Sequence, residues 1–170
     1  MNSVDRISEA LAPLSQAVAV KVRRLLVDSS CLDTAQVSIY LEELARKRKV
    51  YRVCTAVNGE PRSLVVKRLD PAVAQRNRLV AERWLPGIGL DAAAPRLLCS
   101  VAARDAKWIW HIYEDVNGVA LSERHADSEC VSAAVDLIAE LHTRAAGHPF
   151  ISECRRNGRD HGVQIGRAHV

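Results

Sequence analysis

The sequence lacks the short motifs that would assign a chemistry at once. It has no G-x-x-x-x-G-K-[ST] loop for phosphates, and GIG at 87–89 is followed by Ala92 where a dinucleotide fingerprint needs its third glycine. Its five cysteines include no C-x-x-C pair, which favours reduced thiols over a disulfide framework or a zinc site. We therefore expect no structural metal.

Signals for membrane insertion or secretion are also missing. No apolar run approaches the ~20 residues that a membrane span needs, and the first 16 residues have early acids and no apolar core after a basic start. We therefore expect a cytoplasmic protein without a membrane partner. A net charge of +4 is too small to indicate nucleic acid by itself.

What the sequence does contain is the composition of a folded domain, with 48% hydrophobic and 26% charged residues. Residues 3–28 predict a helix that Pro13 would kink or split. Its apolar face follows spacings of three and four: Ile7, Leu11, Leu14, Val18, Val22 and Leu25. QVSIYLEEL, at 36–44, fits either a strand or a short helix.

Two hairpins and two further helices follow. VYRVCTAV (50–57) and SLVVKRL (63–69) flank an Asn-Gly turn signal, and strands in 94–103 and 108–116 form the second hairpin. Between the hairpins, Asp70 and Pro71 begin a helix that Pro86 and Gly87 end. Residues 130–146 predict an amphipathic helix, and the tail from Gly147 shows no periodicity. The predicted class is α+β.

Lys67 poses the main chemical question, because it ends an otherwise aliphatic strand. One explanation is that its stem packs while its ammonium group reaches water. The other involves Glu82, the one acid of the following helix, which would hold the ammonium group. Glu82 has an alternative partner in Arg78, at i,i+4 spacing on the helix surface.

The ordered set SLVVKRL, LVAERWL, APRLL with WHIYEDVNGVAL, and AVDLIAELHTRA resembles the aminoglycoside phosphotransferase-like family. The resemblance covers residues 50 to 150 and implies a protein-kinase-like fold. It divides the chain into an N-terminal helical segment (1–35), a kinase-like N-terminal lobe (36–116), and the hinge with the start of a C-terminal lobe (117–164). It implies transfer of the γ-phosphate of ATP or GTP, with Mg²⁺, to a hydroxyl group of a small acceptor.

The resemblance also implies roles for particular residues. Lys67 would touch the α- and β-phosphates and Glu82 would orient it. Backbone groups of four residues would meet the adenine: Tyr113, Glu114, Asp115 and Val116. The Glu114 and Asp115 side chains have an alternative interpretation as solvated charges at a strand end, and His142 is expected to pack near a core.

The chain departs from the family pattern in two places. The family places a compact, often glycine-rich turn over the phosphates, but this chain has ARKRK (45–49) and no glycine before Gly59. Downstream, Asp160 precedes His161 and Ile165 stands where an asparagine is needed, so we reject NGRDHGVQIG as a catalytic loop. Within these 170 residues we therefore predict neither catalytic residues nor metal ligands.

The final IGRAHV (165–170) resembles the translation of a sequencing adapter. The codon of Gln164 would contain the first two bases of that adapter. We therefore expect a gene fragment whose missing part holds the catalytic loop, the metal ligands and the acceptor pocket. The fragment by itself should have no turnover. Two alternatives remain. One is a non-catalytic nucleotide-binding or regulatory lobe, and the other is a basic RNA-associated domain that uses residues 46–49 with Arg76, Arg78 and Arg83.

Overall fold

The structure is a computed structural model that describes residues 11, 14–26, 37–45, 49–57, 60–103, 107–116 and 127–157. These residues form an α+β fold with one five-stranded antiparallel sheet. The strands are β1 (Val37–Ala45), β2 (Val50–Val57), β3 (Glu60–Leu69), β4 (Leu97–Ala102) and β5 (Ile109–Glu114), in the order β1-β2-β3-β5-β4. The main helices are α1 (Gln16–Leu26), α2 (Pro71–Leu79), α3 (Ser128–Ala145) and α4 (Ile151–Asn157).

Most of the predicted elements are present. β2 pairs with β3 and β4 pairs with β5, which confirms both hairpins. QVSIYLEEL forms β1 rather than a short helix, and it pairs with β2. α2 begins at Pro71 and continues through a wider π-helical turn, Val80–Trp84, and a short segment that ends at Gly87.

The prediction for the tail was wrong in one respect, because α4 follows α3. Its seven residues are too few to display an apolar period, and the Gly and Pro residues just before it suggested a structureless segment. The backbone instead turns at Gly147, with φ +72°, and re-enters a helix at Ile151.

Two compact units share the described residues. The first contains the sheet, α1 and the start of α2 up to Asn77, and the second contains 78–94 with α3 and α4. In the first unit, α1 packs one apolar row, Val18, Val22 and Leu26, into a core with the sheet residues Val53, Leu64, Val66 and Ile112. Leu25, which was predicted to lie on the apolar face, is 41% exposed. The next buried position after Val22 is Leu26 instead, because residues four apart lie on the same face of a helix.

Two valines on α1 allow a direct test of this core. Val22 is fully buried and Val20 is 61% exposed on the same helix. Val22→Ala should lower the free energy of unfolding by about 2 kcal/mol, because it removes two buried methyl groups and leaves a cavity. Val20→Ala should change it by less than about 0.5 kcal/mol. Urea denaturation of both variants measures the difference, and equal losses would contradict this placement of α1.

The second unit is built around a turn between Pro86 and Leu90. The Nη1 atom of Arg144 donates hydrogen bonds to the carbonyl groups of Ile88 (3.1 Å) and Gly89 (2.8 Å). A Cβ atom on Gly87 would lie 2.2 Å from the Phe150 ring, so only glycine permits this close approach. Contacts within the second unit therefore attach α3 and α4 to the turn at residues 86–90.

The outer face of α3 is apolar and open to solvent. Val135 is 58% exposed and Ile138 is 56% exposed, so the predicted helix presents part of its apolar face to solvent. None of the described helices is both long enough and apolar enough to span a membrane.

Candidate functional site

Lys67 lies near the end of β3, the central strand of the sheet. In register, it lies between Val50 of β2 and His111 of β5, so these three side chains share one face. Neighbouring Val66 points the other way and is fully buried in the core beneath α1. Strand alternation therefore places the lysine on the face opposite to α1.

The Lys67 ammonium group is held by an aromatic ring. Its Nζ atom lies 5.1 Å from the centroid of the Tyr113 ring, within range of a cation–π interaction. The Tyr113 hydroxyl lies 3.0 Å from Nδ1 of His111 and also hydrogen-bonds Asn77. Burial raises the pKa of Tyr113 above its usual value, and the Asn77 hydrogen bond only partly opposes this effect, so the tyrosine is neutral at neutral pH.

A cleft of about 530 Å³ opens beside Lys67 within the first unit. Its walls come from the start of β2, the end of β3 and the first two turns of α2. The residues that line it include three cationic ones, Lys49, Lys67 and Arg68, and one acidic one, Asp70. The Arg68 guanidinium is stacked over the Trp108 indole, with 4.5 Å between its central carbon and the ring centroid.

The surroundings of the Lys67 side chain are those of a partly exposed lysine at the edge of a cleft. Among the described residues of the first unit, no carboxylate lies within ion-pair distance of Lys67. The ammonium group rests on the Tyr113 ring, and two other cationic residues line the same cleft.

Glu82 lies in the π-helical turn of the second unit. Its carboxylate accepts a hydrogen bond from Nε of Arg78 at 2.9 Å, and both side chains are more than half exposed. The alternative i,i+4 pair is therefore present. The Lys67–Glu82 pair stays a prediction.

The segment 113–116, predicted to meet the adenine, follows directly from β5. The Glu114 N–H group donates to the carbonyl group of Arg96 at 3.0 Å, so the sheet already uses this amide. The Glu114 side chain is exposed, as its alternative interpretation requires, and Val116 is 64% exposed. Backbone contacts with the adenine would therefore have to come from groups of this segment other than the Glu114 N–H group.

Asp115 differs from the sequence-based alternative, because it is not a solvated charge. Its side chain is 3% exposed, and its Oδ2 atom accepts a hydrogen bond from Nε of Arg52 at 2.8 Å. The same guanidinium also donates to the half-exposed Glu42 at 3.1 Å. Burial acts to lower the pKa of Arg52, but the hydrogen bonds and charges of Glu42 and Asp115 outweigh it and raise that pKa.

Two of the residues around the cleft and the β5 end escaped sequence reasoning: Arg52 and Asn77. Arg52 and Asp115 are 63 positions apart, so no local spacing could pair them. Asn77 carried no motif. Lys49 belonged to a basic run whose other members, 46–48, lie outside the described residues, as does the rejected loop around Asp160 and His161.

The remaining candidates have structural positions. Trp110 is buried in the core, and His142, expected to pack, is exposed on α3. Arg83 pairs with Glu153 at 3.1 Å. In the described part of the chain, no three His, Cys, Asp or Glu side chains converge into a metal-binding cluster. No family model, curated protein or solved structure matches this chain.

Proposed function

We propose that this chain is the nucleotide-binding lobe of an ATP-dependent phosphotransferase that resembles the aminoglycoside phosphotransferase family. The parent enzyme would transfer the γ-phosphate to a hydroxyl group of a small acceptor. One observation carries the proposal: the ammonium group of a central-strand lysine, Lys67, borders a cleft whose charged lining is mostly cationic.

The charge of the cleft favours a ligand with several phosphate groups. Three cationic residues and one acidic residue give the cleft lining a net positive charge, which would attract phosphate groups. The volume of about 530 Å³ falls within the range of small-molecule sites. The charge fits a nucleoside triphosphate better than a neutral ligand, and the volume is sufficient for a small molecule.

The order of elements also supports the proposal. Directly after the lysine strand, α2 is inserted before the second hairpin, as the resemblance implies. β5 lies beside β3 in the sheet and leads into Asp115 and Val116. The segment proposed for the adenine and the lysine proposed for the phosphates thus belong to neighbouring strands of one unit.

In this proposal the described residues bind and orient the nucleotide. Lys67 would neutralise charge on the α- and β-phosphates and fix their position. Mg²⁺ would accompany the nucleotide, and its protein ligands are expected in the part of the enzyme that this chain lacks. The base that takes the hydroxyl proton has no candidate among the described residues.

Calorimetric titration of the chain with ATP, GTP, AMP and single-stranded RNA tests the proposal. We expect saturable binding of ATP or GTP, strengthened by Mg²⁺ and at least tenfold tighter than binding of AMP. Affinity without Mg²⁺ dependence would favour a non-catalytic nucleotide-binding lobe. RNA binding tighter than ATP binding, with a steep salt dependence, would instead support the basic RNA-associated domain.

A further inference from the structure

Lys49 has an unusual backbone conformation. It immediately precedes β2, and its φ of 49° makes it the one non-glycine residue with positive φ in the described ranges. This left-handed conformation brings Cβ too close to the following carbonyl oxygen, so it is unfavourable for lysine and easy for glycine. Residues held in such conformations cluster at functional sites.

The backbone of Lys49 gives no reason for a lysine at this position. Its carbonyl group accepts a hydrogen bond from the Arg68 N–H group at 3.1 Å. Any residue would supply that carbonyl, and glycine or asparagine would supply it with less strain. The reason for lysine therefore lies in its side chain.

Lys49 is one of the residues that line the same cleft as Lys67 and Arg68. Lys49 comes from the turn before β2 and Lys67 from β3, so lysines from two separate segments border one cavity. A third cation beside two others costs free energy unless a ligand carries more than one negative group. Several cationic residues in one cleft should therefore bind a polyphosphate more tightly than a monophosphate.

We infer that Lys49 is a second phosphate-binding residue, selective for ligands with two or more linked phosphate groups. The inference rests on the proposed nucleotide function and deepens it. The Lys49 ammonium group takes the place of the backbone amides that a glycine-rich turn would aim at phosphate oxygens, as a point charge with three donors. Lys67 and Lys49 then contact different phosphates of one chain.

The test compares the variants Lys49→Asn and Lys49→Arg with the unchanged chain. Asparagine tolerates the left-handed conformation, so Lys49→Asn should leave Tm unchanged or slightly raised. Its affinity for ATP and for inorganic pyrophosphate should fall about tenfold, the effect of one charge-assisted hydrogen bond, while AMP changes less than threefold. Lys49→Arg should retain most of the affinity. Arg62→Gln, an exposed change on β3 outside the cleft lining, controls for net charge.

The outcomes separate this inference from the function on which it rests. Unchanged ATP and pyrophosphate affinity in Lys49→Asn, or an equal loss for AMP, would overturn the role of Lys49 while nucleotide binding stands. Pyrophosphate binding that depends on Lys49, without preference for a nucleoside triphosphate, would support Lys49 and refute the nucleotide function. If the unchanged chain binds neither ATP nor pyrophosphate, both proposals fail.

Discussion

Replacing Asp115 by alanine should destabilise the first unit by about 3 kcal/mol. The carboxylate is 3% exposed and accepts a 2.8 Å hydrogen bond from Arg52. Its removal leaves a guanidinium group, itself only 27% exposed, without its buried counter-charge. The loss stays near the lower end of the range for buried pairs, because Arg52 keeps Glu42 and some contact with water. Equilibrium denaturation in urea measures it.

Glu42 supplies the matched control, because it binds the same guanidinium from the solvent side. Its side chain is 50% exposed, so Glu42→Gln should cost less than about 1 kcal/mol. Added salt should weaken the Glu42 effect much more than the Asp115 effect, because exposed charges are screened. Adding Arg52→Met to Asp115→Ala should recover part of the loss, since no unpaired buried charge remains. Equal small losses for the two acids would show that Asp115 is not an anchor.

Local signals were enough to predict most of the fold. The alternating strands around Asn58 and Gly59 predicted β2 and β3, and Asp70 with Pro71 predicted the start of α2. These features depend on neighbours along the chain, which sequence patterns record directly. β1 was ambiguous because its apolar positions satisfy both periods over nine residues.

The features that define the site were harder to predict, since they depend on register and backbone conformation. Lys67 drew attention because a charge at the end of an aliphatic strand is unusual. Its neighbours in the cleft lining were harder to assign, because Lys49 comes beside Arg68 only when β2 pairs with β3. No glycine announced the left-handed conformation of Lys49, and nothing local linked Arg52 to Asp115.

The Arg52–Asp115 pair and the cleft are connected through the sheet. Arg52 lies opposite Val65, and Val65 lies opposite Tyr113, so the pair sits on the same face as the tyrosine that supports Lys67. An anchored Asp115 fixes the backbone that leaves β5, next to the ring on which the ammonium group rests. We therefore expect loss of the Asp115 anchor to loosen the lysine as well as the strand end.

Lys67→Met should reduce ATP affinity by about 10- to 100-fold, the effect of losing one charge-assisted contact to phosphate. Methionine keeps the length and packing of the lysine stem, and the lost cation–π contact with Tyr113 is worth only about 0.5–1 kcal/mol at a partly exposed site. The fold should therefore survive, with Tm changed by only a few degrees. Calorimetric titration with ATP, ADP and adenosine measures the change.

The pattern across ligands decides what the lysine does. If Lys67 binds phosphates, the variant loses affinity for ATP and ADP, while adenosine, which carries none, binds as before. Lys67→Arg should recover only part of the affinity, because a planar guanidinium cannot reproduce a compact ammonium group at the same point. Arg62→Met, on the same strand but exposed and outside the cleft lining, should leave all three affinities unchanged. Unaltered ATP affinity in Lys67→Met would mean that the lysine only packs its stem and reaches water, and the nucleotide proposal would lose the observation that carries it.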